Sequence, residues 1–333
     1  MRIVFLIFAL VFTTTLFSQE ENGAVKWLTF KEAQEKNKKE PRPFLIDVYT
    51  DWCGWCKHMM KTTYSNQALA QYVNTNFYPI KFNAEGKDTI EYNGLIYKPT
   101  SALPRTPHEL AVKFLGKQLT YPSTIFVGNN FEFNLLTQGY LEEKKIQPIL
   151  VFMVEGAYKN APYEEFEERF NNTFTDTTKF VKKIIKTYSI SEALELQKTK
   201  PKKILVNIYA NFCNTCLVMN KTTFTDTLIA DYIDKNYYLV NFNAESSDTV
   251  LFKNEKYFKQ LVNGFPLNTF AFRVTNGRFT FPSIAVLDEQ ANTIDVLANY
   301  HHPKSLKPIL IYFGEDKYKT EKWMDFYQQY QIK

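Results

Sequence analysis

Cysteine is scarce in this chain. Four occur in 333 residues, Cys53, Cys56, Cys213 and Cys216, and all fall into two tight pairs with none left over. That spacing speaks against a framework of disulfides joining distant segments, the usual structural use in an exported protein. A bridge closing so short a loop removes little entropy from the unfolded chain, so its stabilising role is modest. Redox chemistry is the more economical reading. Charge of one sign is also in short supply: 40 Lys and Arg stand against 35 Asp and Glu, a net of +5. The clusters Lys182, Lys183, Lys186 and Lys200, Lys202, Lys203 lack sustained basic and aromatic interleaving, so they read as solvated lysine faces and no nucleic-acid partner is expected. The residue after each pair is Lys57 or Leu217 rather than histidine, which disfavours haem attachment. A zinc ion shared by all four sulfurs would require the same face of two repeats to meet at the cysteines. No metal or other cofactor is expected.

Long hydrophobic runs are missing as well, with one exception at the start. Arg2 precedes an apolar stretch from Ile3 to Phe12, then Thr13, Thr14 and Thr15, with a plausible cut between Ser18 and Gln19. Leu16 is bulky for its place two before Ser18. The run is too short for a comfortable span and reads as a secretory signal peptide over residues 1–18. No cysteine follows it, so lipid attachment there is excluded. With no second such run, the mature form is expected to have no stable membrane span and to reside in the periplasm or be secreted. What is abundant is ordinary globular material, 45% hydrophobic and 23% charged, with 21 Tyr and 29 Phe. The length allows two domains with cores of their own.

The chain is a duplication at a constant offset of 160 positions, Cys53 to Cys213. Phe44-Leu-Ile-Asp-Val-Tyr-Thr-Asp-Trp-Cys53 matches Ile204-Leu-Val-Asn-Ile-Tyr-Ala-Asn-Phe-Cys213. Asn83-Ala84-Glu85 matches Asn243-Ala244-Glu245, and Tyr121-Pro122-Ser123 matches Phe281-Pro282-Ser283. An unchanged offset means that whole domains were copied. The predicted order in the first copy is helix Phe30–Lys38, strand Phe44–Tyr49, a helix opening at the cysteine pair, helical Ala68–Val73, and strand Phe77–Phe82. A long insertion follows, with a possible helix His108–Leu115. Strands Thr124–Val127 and Phe131–Leu136, helix Ile146–Tyr158 and helix Tyr163–Phe170 complete the copy. The second copy repeats this as Ile190–Lys198, Ile204–Tyr209, Tyr237–Phe242, Ile284–Leu287, Thr293–Ala298 and Leu306–Phe313. The expected fold class is α/β, two tandem domains of residues 25–170 and 187–333, each a mixed central sheet flanked by helices. The joint of residues 171–186 is polar at first, then carries Val181, Ile184 and Ile185, and its second part could be helical and docked.

Trp52-Cys53-Gly54-Trp55-Cys56-Lys57 after an apolar strand, with Tyr121-Pro122 downstream, resembles the thioredoxin superfamily. The long interval from Asn83-Ala84-Glu85 to Tyr121-Pro122-Ser123 and the Ser-Gln cut are similar to the exported thioredoxin-like proteins of Bacteroidetes-type bacteria. The resemblance covers roughly residues 27–170 and 187–330. It implies that Cys53 and Cys213 are nucleophiles and that Cys56 and Cys216 resolve the mixed disulfide. It implies that Pro122 and Pro282 are cis and lie beside the cysteines, and that the buried acid Asp47 takes a proton from the resolving thiol. The second copy has Asn207 at that position, which cannot accept a proton in that way, and neither pair has the family's usual Gly-Pro middle.

The residues themselves are suited to this chemistry. A helix N-terminus lowers the thiol pKa of about 8.5 by presenting unpaired N–H groups and a positive dipole end. Cys56 and Cys216, three residues on, share a helical face with the first sulfur. Asp47 is flanked by apolar strand residues, and a buried carboxylate with a raised pKa suits a proton acceptor; a structural polar residue is the alternative. Tyr121 and Phe281, with Trp52, Trp55 and Phe212, either rim a docking surface for a protein partner or simply pack. The expected function is thiol–disulfide exchange on exported proteins with disulfides, as reductase or isomerase, fed by a membrane-bound thiol reductase. A protein-binding module with little turnover and a disulfide-donating oxidase are the alternatives. Residue names do not decide the direction, because about 30 mV of potential is worth only about 1.4 kcal/mol.

Overall fold

The computed structural model describes residues 24–175, 182–262, 264–278 and 280–332. The expected signal peptide of residues 1–18 lies outside the described residues. Among those described, no helix is long and apolar enough to cross a membrane.

The first copy begins with helix α1 (Phe30–Lys39), opened by a capping box in which Thr29 and Glu32 satisfy each other's backbone N–H groups. Strand β1 (Phe44–Tyr49) follows, every residue but the last buried. Then come α2 (Gly54–Lys61), α3 (Gln67–Asn76), β2 (Tyr78–Asn83), the short hairpin β3 (Ile90–Tyr92) and β4 (Leu95–Tyr97), and α4 (Glu109–Leu115) capped by the His108 side chain. Strands β5 (Ser123–Val127) and β6 (Asn134–Gln138) and helices α5 (Glu143–Val154) and α6 (Tyr163–Phe174) close the unit. The sheet order is β2-β1-β5-β6. β1 runs parallel to β2 and antiparallel to β5, so the sheet is mixed.

The second copy repeats the plan. Helix α7 (Ile190–Thr199) carries the same capping box, now Ser189 with Glu192. Then follow β7 (Lys203–Tyr209), α8 (Asn214–Val218), α9 (Thr227–Asn236) and β8 (Tyr237–Asn243). The insertion differs, with hairpins β9 (Val250–Phe252)–β10 (Glu255–Tyr257) and β11 (Lys259–Val262)–β12 (Phe265–Asn268) before α10 (Thr269–Val274). Strands β13 (Ser283–Leu287) and β14 (Thr293–Ala298) and helices α11 (Pro303–Gly314) and α12 (Trp323–Ile332) complete it, with sheet order β8-β7-β13-β14. Both insertions turn where the backbone is left-handed, at Asn93-Gly94 and at Lys253-Asn254, the same place in each copy.

Several local expectations are corrected. The hairpin strand expected at Phe131–Leu136 begins at Asn134, because Phe131 is left-handed (φ 64°) and closes a turn onto Gly128 while its ring stacks on Phe44 at 5.0 Å. The helix expected to run to Tyr158 stops at Val154, where left-handed Gly156 turns the chain into a short 3-10 segment. The joint is not helical in its described second part. It is extended: Lys183 donates its backbone N–H to Thr225 O, and Thr187 bridges to Leu239. Ile184 is exposed there and Ile185 packs on the core. Lys203 is no solvated lysine. It is buried on β7, and its ammonium pairs with Glu289 and Asp316 at 2.8 Å each.

The two units share a core. One contiguous apolar cluster contains Phe152, Phe166 and Phe170 from the first copy and Val218, Met219, Tyr300 and Leu306 from the second. Phe166 meets Tyr300 edge-to-face with centroids 5.3 Å apart. At its margin Arg169 donates to Thr222 O and Lys304 pairs with Glu165. The opposite face of each sheet has a separate core of its own. Helices α5 and α6 therefore face the second copy's cysteine-bearing helix, and this placement makes the two sites unlike.

Candidate redox site

In each copy the central strand delivers the chain to a tight loop, and the first cysteine caps the next helix. Cys53 donates its N–H to Thr50 O, and its sulfur accepts from Cys56 N at 3.0 Å. Cys213 does the same with Ala210 O and with Cys216 N, also at 3.0 Å. Both pairs are disulfides, with Cα atoms 5.3 and 5.2 Å apart. Tyr121-Pro122 and Phe281-Pro282 are cis, and both prolines are buried.

Around the first pair, whose sulfurs are themselves buried, the surface is aromatic. Trp52 and Trp55 are 55% and 62% exposed. Trp52 donates its indole N–H to Glu85 and meets Tyr121 edge-on at 6.0 Å. Trp55 contacts both His58 and Tyr140, which also face each other at 5.1 Å. Sequence reasoning missed Tyr140, because it lies in the loop after β6, far along the chain.

Asp47 is wholly buried, and neither carboxylate oxygen finds a hydrogen-bond partner. It lies opposite Lys81 in the β1–β2 register. Burial pushes its pKa from 3.8 up to about 7, against the opposing pull of the Lys81 ammonium. Lys81 also lines a cavity of about 300 Å³ with Tyr49, Asp51, Lys57 and Cys56. The carboxyl and the resolving cysteine thus border one lysine.

At the matching place in the second copy, three amides replace this arrangement. Asn207 donates to Asn220 Oδ1 at 2.7 Å and to Asn241 Oδ1 at 3.0 Å. Asn220 stands where Met60 is, and Asn241 where Lys81 is, at the same offset of 160 positions. No group in this trio titrates near neutrality.

The second pair, buried like the first, has different neighbours. Phe212 is exposed and meets Phe281 edge-on at 5.4 Å. Thr215, which stands where Trp55 does in the first copy, is fully buried. The Glu155 carboxylate, from the end of α5 in the first unit, lies on the start of α8. It accepts from Thr215 N and Thr215 Oγ1 at 2.7 Å each, from Asn214 N at 3.2 Å and from Asn214 Nδ2 at 3.1 Å. Its Oε2 is 3.8 Å from Cys213 Sγ. The sequence reading that gave both first cysteines an unobstructed helix beginning is corrected here. Both first sulfurs accept from the resolving cysteine's N–H, but beside Cys213 the Asn214 and Thr215 N–H groups are taken by a carboxylate from the neighbouring unit.

The site defines a class: thioredoxin folds in tandem, each with a helix-opening cysteine pair beside a cis-proline. A family model described as a DsbH thioredoxin, "protein of unknown function, DUF255", matches residues 12–99. A second, described as thioredoxin-like, matches residues 185–288. The chain belongs to the thioredoxin superfamily. It is similar to an uncharacterized protein of Caenorhabditis elegans, 31% identical over 74 residues, which are 22% of this chain and 10% of that one. The chain thus matches only about a tenth of that relative's length. Among solved structures it is similar to a thioredoxin-fold protein from Helicobacter pylori, 20% identical, TM-score 0.30, over 40% of this chain and 81% of the other. It is also similar to ERdj5, 11% identical, TM-score 0.28, over 89% of this chain and 30% of that one. The two family matches and the paired cysteines support a thiol–disulfide oxidoreductase in general.

Proposed function

We propose that the protein reduces or isomerises disulfides in exported proteins, and that the Cys53–Cys56 pair is the site that meets the client. The observation that carries this reading is a cysteine pair flanked by the exposed rings of Trp52 and Trp55, with Asp47, a buried carboxyl whose oxygens find no hydrogen-bond partner, behind it. In the reduced protein the Cys53 thiolate attacks a client disulfide. One S–S bond breaks, a mixed disulfide forms, and the displaced client thiolate takes up a proton. Asp47, as carboxylate, accepts the Cys56 proton. The Cys56 thiolate then attacks Cys53 Sγ, which releases the client's second thiol and leaves the Cys53–Cys56 disulfide. Two electrons have passed to the client, and a dithiol donor must return them. A membrane-bound thiol reductase is the donor proposed. The periplasm is the proposed compartment, supported by the apolar leader at residues 3–12, and the exported Bacteroidetes-type proteins are the proposed relatives.

Trp52, Trp55 and Tyr121 supply apolar area for an unfolded client, and cis-Pro122 presents backbone beside the sulfurs. Insulin reduction with glutathione or dithiothreitol as donor tests the reading. Turnover is expected, and it should fall to the uncatalysed rate in Cys53→Ser. A rate no higher than that of a Cys53→Ser/Cys213→Ser protein overturns the proposal.

A further inference from the structure

Glu155 is unusual among the carboxylates of this chain, because it belongs to one unit and makes its contacts in the other's cysteine loop. Its position is built. Gly156 after it is left-handed (φ 68°), and a Cβ there would come within 3.2 Å of Asn299 Oδ1. The turn therefore places Glu155 against α8. The corresponding residue of the second copy, Glu315, sits instead beside Tyr232. The receiving side is built too. Thr215 gives its backbone N–H and hydroxyl to the carboxylate, where Trp55 at the matching position of the first copy is too large for a closed interface.

We propose that Glu155 is a positioning residue that holds the Cys213–Cys216 pair in a low-reactivity state, so that the two pairs have different duties despite their common origin. This deepens the redox reading above and rests on it for its biological meaning. The chemistry follows from the contacts. A thiolate at a helix start is stabilised by the first free N–H groups. Here Asn214 N and Thr215 N already point at a carboxylate. When a dithiol reduces Cys213–Cys216, the S–S bond breaks, the donor becomes a disulfide, and two electrons and two protons arrive. The proton on Cys213 Sγ then faces Glu155 Oε2 and is held there, because losing it would set two anions about 4 Å apart. Other titratable or charged groups near this contact are Tyr72 of α3 beside Glu155, Tyr209 at the end of β7, and Lys159 over Gly156, while Arg169 of α6 is engaged at Thr222 O. The Tyr72 phenol is pushed well above its ordinary value by burial and by Glu155, so it stays neutral.

The test is alkylation of Cys213 by iodoacetamide as a function of pH, in fully reduced full-length protein carrying Cys53→Ser, Cys56→Ser and Cys216→Ser. Glu155→Gln is isosteric and keeps acceptor oxygen for Thr215. It should lower the pH midpoint of alkylation by about one unit or more and raise the rate at pH 7 about tenfold. Glu155→Asp, shorter but still charged, should keep the midpoint within a few tenths of the parent. An unmoved midpoint in Glu155→Gln overturns the proposal, including the case of a uniform rate rise at every pH, which would mean mere opening of the interface. Because no client is involved, failure of the insulin assay sinks the proposed function without touching this measurement.

Discussion

Asp47→Asn tests the energetics of the site most directly. The carboxyl is fully buried, has no hydrogen-bond partner, and titrates near 7 instead of 3.8. A carboxyl whose folded pKa is raised favours the folded state fully below the unfolded pKa, and that contribution is lost as pH rises toward the folded pKa. The window runs from 3.8 to about 7. A full shift of this size corresponds to about 4 kcal/mol, and about 2.5 kcal/mol of it accrues between pH 5 and pH 8. Asn at this position cannot ionise. The difference in unfolding free energy between variant and parent, measured by urea denaturation, should therefore grow in favour of the variant by about 2.5 kcal/mol from pH 5 to pH 8. In the same variant, insulin reduction should slow and lose its rise through neutral pH, because no base remains to take the Cys56 proton. More stability with less activity is the pattern of a site held in a strained electrostatic state for its chemistry. A constant difference across that pH range would refute the reasoning, because it would mean that Asp47 does not change charge there.

The remaining predictions concern the other site and the region where the two units meet. Cys53→Ser should abolish insulin reduction, whereas Cys213→Ser should leave most of it; equal losses would defeat the asymmetry between the sites. Phe166→Ala, in the apolar cluster shared by both copies, should cost about 3–5 kcal/mol and lower the thermal midpoints of both units together. If one unit alone lost stability, the common core would be refuted. His301 is buried where the two units meet, its ring beside Asn160, and burial pushes its imidazole from 6.5 down to about 4. A depressed histidine contributes stability above 6.5 that is lost as pH falls toward 4, about 2 kcal/mol of it between pH 7 and pH 5. His301→Gln should flatten that acid limb in urea titrations, opposite in sign to the effect at Asp47, and an unchanged limb would rule the assignment out.

Much of the fold was legible because its signals are local. β1 is a short, apolar, β-branched run bounded by proline, and it occupies Phe44–Tyr49 as read. The capping residues Thr29 and Ser189, each three places before a glutamate, mark helix starts without tertiary information. Errors came where one residue's conformation decided the outcome: left-handed Phe131 delayed β6, and left-handed Gly156 ended the helix expected to reach Tyr158. Asp47 could be singled out because charge amid apolar strand residues is costly. The Asn207, Asn220 and Asn241 trio could not, because its members come together only through sheet register and the helix above it.

The amino-acid sequence by itself determined the duplication, the strand-to-helix junction that carries each cysteine pair, and the prolines that lie beside them. These depend on side-chain periodicity and on spacing along one stretch of chain, and both copies inherited them. Only the tertiary structure decided that the copies are not equivalent. Docking α5 and α6 against α8 buried Thr215 and brought Glu155 to Cys213, 58 positions away in the chain. Such a contact follows from how two finished surfaces fit, and no pattern within either repeat encodes it.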